Sequence, residues 1–194
     1  YKNNHKIAVV SPDRERSASG HSITLNEPLR ARKVNLKNIE DINCFEINGT
    51  PADCVKIGIE TLIDFTPDII ISGINDGLNI GFDVLYSGTV SAAVEGWMMG
   101  FSSMAVSLDT GENRLFEMAS NKINYLIDDL FKEILISRKL LLNINIPGLP
   151  RNKIEGISIT ELTKCLYDDC YESRIDPMGN KYYWLTGELT SDFN

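Results

Sequence analysis

The chain of 194 residues is 43% hydrophobic and 24% charged, with a formal net charge of −8. This composition suits one substantial globular core, and its acidic balance excludes a broad surface for binding nucleic-acid polymers. No apolar run reaches the roughly 18 residues of a membrane span, and the start, YKNNHKIAVVSPD, lacks a signal-peptide apolar segment, so a cytoplasmic protein is expected.

Lys6 to Ser11 reads as a buried strand that Pro12 ends, because proline cannot donate to a sheet ladder. In a doubly wound domain such a strand often follows an earlier βα unit. Tyr1 to His5 is too short to hold one, so a first βα unit is expected to be missing from this sequence. Pro12 to Ser22, PDRERSASGHS, is a polar loop and a candidate site. Ser17 or Ser19 in it is a nucleophile, a metal ligand or a turn residue, although no Gly-x-Ser-x-Gly elbow supports the first role. His21 follows as a substrate contact or a hydrogen-bonded surface residue.

Ile23 to Val34 reads as extended structure and Asp41 to Ile47 as a short strand or edge segment. Thr50-Pro51-Ala52-Asp53 is a helix start, with a capping Thr, Pro at the first helical position and an Asp to close a capping box. That helix is predicted to reach about Ile63, with Val55, Ile59, Leu62 and Phe65 covering the sheet. Cys44 and Cys54, like Cys165 and Cys170, lack zinc-ligand spacing and read as reduced structural thiols.

Pro67 to Gly100 organises the chain. Asp68 to Ser72 is a β-branched apolar run of the kind buried in parallel sheets, and a helix is predicted from near Thr89 through Met99, with the Thr89 hydroxyl as its cap. Between them Gly73, Gly77, Gly81 and Gly88 permit close backbone approach, and Asn75 and Asn79 offer amide oxygens. Ser87-Gly88-Thr89 places N–H and hydroxyl donors at a helix start. Such a loop, at the carboxyl end of a parallel strand, suits an anion and phosphate above all.

Met104 to Leu108 is a further buried strand, followed by a long amphipathic helix over Glu112 to Ile136 with the stripe Phe116, Ala119, Ile123, Leu126, Leu130 and Ile134. Leu140 to Ile146 is the next strand, and its Asn143 and Asn145 share one face or turn towards a neighbouring subunit. From Lys153 onward GISITELT and KYYWLTGEL are β-rich, with a hairpin turn at Asp176-Pro177-Met178-Gly179. Tyr182, Tyr183 and Trp184 on a hairpin suggest burial against another copy of the chain. The domain expectation is a core over 1–152 and a β-rich oligomerisation arm over 153–194.

VVSPDRERSASGHSITLNEPLR, NGTPADCVKIGI, PDIIISGINDGLNIGFDVLYSGTVSAAVEG, LLLNINIP and DPMGNKYYW, in that order, resemble the SurE family of survival-protein nucleotidases over almost the whole chain. The resemblance implies an α/β fold with a Rossmann-like three-layer α/β/α core and a projecting C-terminal β-hairpin arm used in homo-oligomers, dimers or tetramers. It also implies metal-dependent hydrolysis of nucleoside 5′-monophosphates, with 3′-monophosphates and short polyphosphates as further substrates. Ser17 and Asn75 match the family's serine and asparagine ligands of a divalent metal, Mg²⁺ or Mn²⁺. Asn79, Ser87, Gly88 and Thr89 then face phosphate.

The sequence departs from the family in one respect. The family's pattern opens with a strand ending in Asn-Asp-Asp-Gly, whose aspartates ligate the metal, and nothing like it precedes Tyr1. Asp13 does not replace it, so no catalytic residue is assigned, and the family's last strand segment likewise has no counterpart after the arm. A phosphate- or nucleotide-binding protein without turnover is the alternative, and a structural oligomer built by the arm is a third class. A P-loop NTPase and a dinucleotide dehydrogenase are disfavoured, since neither glycine signature is present.

Overall fold

The computed structural model describes residues 5–36, 42–109, 115–130, 139–162 and 170–186. The chain divides into two compact units, one of Tyr1–Asn79 with Asp83–Ser158 and one of Ile80–Phe82 with Ile159–Asn194.

The first unit contains β1 (Ala8–Pro12), β2 (Ala31–Val34), β3 (Asn43–Ile47), α1 (Pro51–Ile57), β4 (Ile69–Asp76), α2 (Gly88–Met98), β5 (Ser102–Leu108), α3 (Phe116–Tyr125) and β6 (Leu141–Ile146). β3 lies between β1, with which it runs parallel, and β2, with which it runs antiparallel. The segment expected as a possible edge is therefore the middle strand of its sheet, consistent with buried Cys44 and Ile47. β4, β5 and β6 form a second, all-parallel sheet in that order.

Every residue of β5 is buried, as the centre of a doubly covered parallel sheet requires. Its alternation assigns the two layers. Met104, Val106 and Leu108 face Ala119, Ile123, Leu126 and Ile127 of α3 and the π-helical turn Leu126–Leu130. Burial of each large aliphatic side chain in this cluster stabilises by about 1.5–3 kcal/mol. The opposite face carries Ser103, over which α2 passes so closely that a Cβ at Gly96 would meet Ser103 Oγ and Ile70. The result is an α/β/α arrangement, as the Rossmann-like expectation requires.

The capping box at Thr50 forms as read: the Thr50 hydroxyl accepts the Asp53 N–H at 3.1 Å, and the Asp53 carboxylate accepts the Thr50 N–H at 2.9 Å. α1 continues through a π-helical turn, Gly58–Leu62, and stops at Ile63. Its close contact with β1 is made by Gly58, whose Cα side faces Val10. Val55, Ile59 and Leu62, expected to form the covering face, are half-buried. β4 runs to Asp76 rather than ending at Ser72, with a register shift between Ser72 and Asn75. Gly73 sits at that shift with φ +121°, where any Cβ would strike the Val106 carbonyl, so only glycine serves there.

Of the long helix predicted over Glu112 to Ile136, α3 and its π-helical turn cover Phe116 to Leu130; Glu112 and Ile134 lie outside the described residues. The second unit contains β7 (Cys170–Ile175) and β8 (Lys181–Thr186), an antiparallel hairpin. Its turn is the predicted one: the Asp176 carboxylate accepts the Met178 and Asn180 N–H groups, both at 2.8 Å. Residues 156–162 of GISITELT, read from sequence as β-rich, form no strand, and the partner of β8 is Cys170–Ile175. Among the described residues no helix is long and apolar enough to cross a membrane.

Candidate anion and phosphate site

The site grows from the carboxyl end of β4. Asn75 is half-buried there; its Nδ2 donates to the Gly77 carbonyl at 2.9 Å, and its Oδ1 accepts the Thr89 hydroxyl at 3.2 Å. The Gly77 N–H in turn donates to the Leu108 carbonyl at 2.9 Å, which ties the loop's first residues to the end of β5. The loop ends in a 3₁₀ turn, Gly81–Leu85, and α2 begins.

Ser87, not Thr89, is the cap of α2: its hydroxyl accepts the Val90 N–H at 3.2 Å. The expected cap is displaced because the helix starts earlier, at Gly88, which frees the Thr89 hydroxyl for Asn75. Gly88 and Thr89 supply the first amides of the helix, which have no partner inside it and carry the positive end of its dipole.

The polar loop Pro12–Ser22 is docked onto this helix start. The Gly20 N–H donates to the Tyr86 carbonyl at 2.9 Å. Arg16 Nη2 donates to the Asn48 carbonyl at 2.8 Å and lies 3.4 Å from Asp13 Oδ1, so this arginine holds the loop's shape. A Cβ at Gly88 would meet Pro51 Cγ at 2.9 Å and Ser19 Oγ at 3.0 Å, so the loop, α1 and α2 converge at one glycine. Ser19 Oγ and Arg16 Nε are buried without a hydrogen-bond partner among the described residues. Ser17 is exposed, and its hydroxyl donates to Glu15 Oε1 at 2.7 Å.

His21 is hydrogen-bonded rather than free: its Nε2 lies 2.9 Å from Oε2 of buried Glu95 on α2, and Lys56 Nζ of α1 lies 3.7 Å from Glu95 Oε1. A buried carboxylate needs such partners, and here they lash the loop to both helices. Asp53 binds the loop's continuation, accepting the Thr24 N–H at 3.0 Å and its hydroxyl at 2.6 Å. Burial alone would raise the Asp53 carboxyl, but the hydrogen bonds from Thr24 and Thr50 outweigh it and hold it below the usual aspartate value. Cys54, beside it, is pushed up to about 12 by burial and by the Asp53 charge, and so remains an inert thiol. Cys44, Cys54 and Cys170 are free cysteines; Cys165 lies outside the described residues.

Asn79 is 5% exposed. Its Nδ2 donates to Ser107 Oγ at 2.6 Å, its N–H donates to Asn145 Oδ1 at 2.8 Å, and its carbonyl accepts Asn143 Nδ2 at 2.9 Å and Asn145 Nδ2 at 3.0 Å. Asn143 and Asn145 do share one face, and they hold the loop. Sequence reasoning gave them no role, although a polar pair at i and i+2 on an apolar strand was the available signal.

Ser17 and Asn75 supply neutral hard oxygens, the donor type that Mg²⁺ or Mn²⁺ takes. Among the described residues no group of three or more His, Cys, Asp or Glu side chains is placed to hold a metal ion. The described residues therefore do not complete a metal site by themselves.

Fold and loop together define a Rossmann-like α/β protein with a candidate anion site where a parallel strand hands over to a helix. The family model described as Survival protein SurE matches residues 1–169. The chain belongs to the SurE family. It is 45% identical over 190 residues to a protein named 5′-nucleotidase SurE from Cyanothece sp., covering 98% of this chain and 70% of that one. A 5′-nucleotidase SurE from Caldanaerobacter subterraneus is 46% identical over 193 residues, covering 97% of this chain and 72% of its own. The crystal structure of SurE protein from Aquifex aeolicus has a TM-score of 0.75 and 37% identity, over 97% of this chain and 74% of that one.

Proposed function

We propose that this protein is a phosphomonoesterase that hydrolyses nucleoside 5′-monophosphates to nucleoside and phosphate. The observation that carries the reading is the convergence of the Asn75 side chain, the Thr89 hydroxyl and the opening amides of α2 at the carboxyl end of β4. The names of relatives at about 45% identity point the same way.

Gly88 and Thr89 amides and the Thr89 hydroxyl bind phosphoryl oxygens, aided by the helix dipole. Ser87 sets their direction as the cap, and Asn79 sets the loop's position from beneath. Water adds to phosphorus, the bond from phosphorus to the 5′ oxygen breaks, and the nucleoside leaves as an alcohol. Mg²⁺ or Mn²⁺ is the proposed cofactor, with Ser17 and Asn75 as oxygen donors towards it. Phosphate-centred recognition extends the proposal to 3′-monophosphates and short polyphosphates. The hairpin, with Tyr171, Tyr183 and Trp184 exposed, is the proposed homo-oligomer contact, forming a dimer or tetramer. Free Cys44, Cys54 and Cys170 suit a reducing, cytoplasmic setting.

The test is phosphate release from 5′-AMP with Mg²⁺, with Mn²⁺ and with EDTA, for the wild type and Asn75→Ala. Release that requires a metal and falls in the variant supports the reading. Phosphate binding without release under any metal supports the second reading, a binding protein without turnover. That reading rests on the same donors, the Thr89 hydroxyl and the opening amides of α2, which suit an anion whether or not it is hydrolysed.

A further inference from the structure

Two asparagines stand on the face of β6 opposite Leu142 and Ile144, which pack on the core; Asn143 is exposed and Asn145 half-buried. Asn143 and Asn145 pair with Ala105 and Ser107 of fully buried β5 and turn their amides to the same side of the sheet. Their three side-chain hydrogen bonds go to one residue, Asn79, 64 to 66 positions away in sequence. Asn145 grips it at two points, accepting the backbone N–H at 2.8 Å and donating to the backbone carbonyl at 3.0 Å, as a neighbouring strand would. Asn143 adds a second donor to that carbonyl, and Ser107 accepts the Asn79 side-chain amide from below. The small side chains of Ala105 and Ser107 leave room for Asn79 over the sheet.

We propose that Asn145 is a positioning residue: by clamping the backbone of Asn79 it fixes the Gly77–Ser87 loop that delivers the start of α2 to Asn75. The catalytic consequence rests on the nucleotidase reading; the clamp itself rests on the geometry alone. The start of the loop is also tied to the sheet, by the Gly77 N–H on the Leu108 carbonyl and by Asn75 Nδ2 on the Gly77 carbonyl. A displacement of about 1 Å at a phosphoryl-binding helix start is enough to lower turnover by about a hundredfold.

The test compares Asn145→Leu, close in shape but without hydrogen bonds, with Asn143→Leu in the full chain. For 5′-AMP hydrolysis, Asn145→Leu is expected to lower kcat by about a hundredfold with a smaller change in KM, the split expected of misplaced reacting groups. Asn143→Leu leaves both Asn145 bonds in place and is expected to lower kcat by less than about tenfold. Amide hydrogen exchange is the second readout, expected to quicken at Asn79 and at Leu85–Thr89 in Asn145→Leu while Met104–Leu108 stays protected.

Unchanged kcat in Asn145→Leu, or a larger loss in Asn143→Leu, overturns the proposal. Exchange that quickens equally throughout β4, β5 and β6 overturns it too, because Asn145 would then serve only to hold the sheet. If the wild type releases no phosphate, the nucleotidase reading and the catalytic half of the proposal fail together, and loop exchange alone decides the clamp.

Discussion

The hydroxyl of Thr89 donates to the side-chain carbonyl of Asn75 across 3.2 Å, joining the second residue of α2 to the end of β4. The same hydroxyl is a candidate donor to a phosphoryl oxygen, and the same carbonyl a candidate donor to a cation. Each group therefore orients the other before any ligand arrives. Thr89→Val keeps the shape and removes the hydroxyl. It is expected to lower kcat for 5′-AMP by about 10²-fold, the size of losing one donor to a developing anion, with little change in melting temperature. Steady-state phosphate release and thermal unfolding on the same preparation check it; a wild-type kcat would remove the hydroxyl from the proposed chemistry.

Gly88 is where three segments meet, and the obstacle to a larger residue is partly rigid. A methyl group there would lie 2.9 Å from Pro51 Cγ, on a ring that cannot rotate away, and 3.0 Å from Ser19 Oγ. Gly88→Ala is expected to destabilise by about 1–3 kcal/mol through overpacking. In a chain of this size each kcal/mol lowers the melting temperature by about 2–4 °C. Calorimetry would decide it, and an unchanged or raised melting temperature would mean that the loop yields freely.

Asp53 ties α1 to Thr24 and has a lowered pKa, so the sign of its pH dependence is settled. Its ionised form is the one favoured by folding. The contribution is complete above the ordinary aspartate value of about 3.9 and is lost as pH falls through the lower folded value. Asp53→Asn is expected to cost about 1–3 kcal/mol at neutral pH, with the difference from wild type shrinking below about pH 4. Urea unfolding at several pH values would show it. A constant difference down to the most acid point would contradict the assignment.

Much of this arrangement was legible in the residues because it rests on local rules. Thr50, Pro51 and Asp53 announce a capping box by spacing alone, and the box forms. Asp176 and Gly179 announce the hairpin turn in the same way. The buried run Met104 to Leu108 reads as a covered strand, and every residue of β5 is buried. The cap of α2 is Ser87 rather than the expected Thr89 because both are good caps two residues apart, and the helix starts at Gly88, leaving the Thr89 hydroxyl to donate to distant Asn75. The stripe of α1 is half-buried at Val55, Ile59 and Leu62, and the closest backbone approach, Gly58 against Val10, is something an apolar stripe does not show. The Asn79 clamp shows in the sequence only as the polar pair Asn143 and Asn145 on an apolar strand, because the residue they hold stands 64 to 66 positions away.

That separation has a consequence for how activity is acquired. The loop's geometry depends on β6, and β6 must find β5 before Asn145 can reach Asn79. Contacts of such long sequence range carry a large closure entropy and form late in folding. A chain with its helices formed and β6 undocked would therefore hold every residue of the candidate site and still lack the site. During refolding, phosphate release should return after the helical signal, so that enzymatic competence serves as a clock for the last strand to join the sheet.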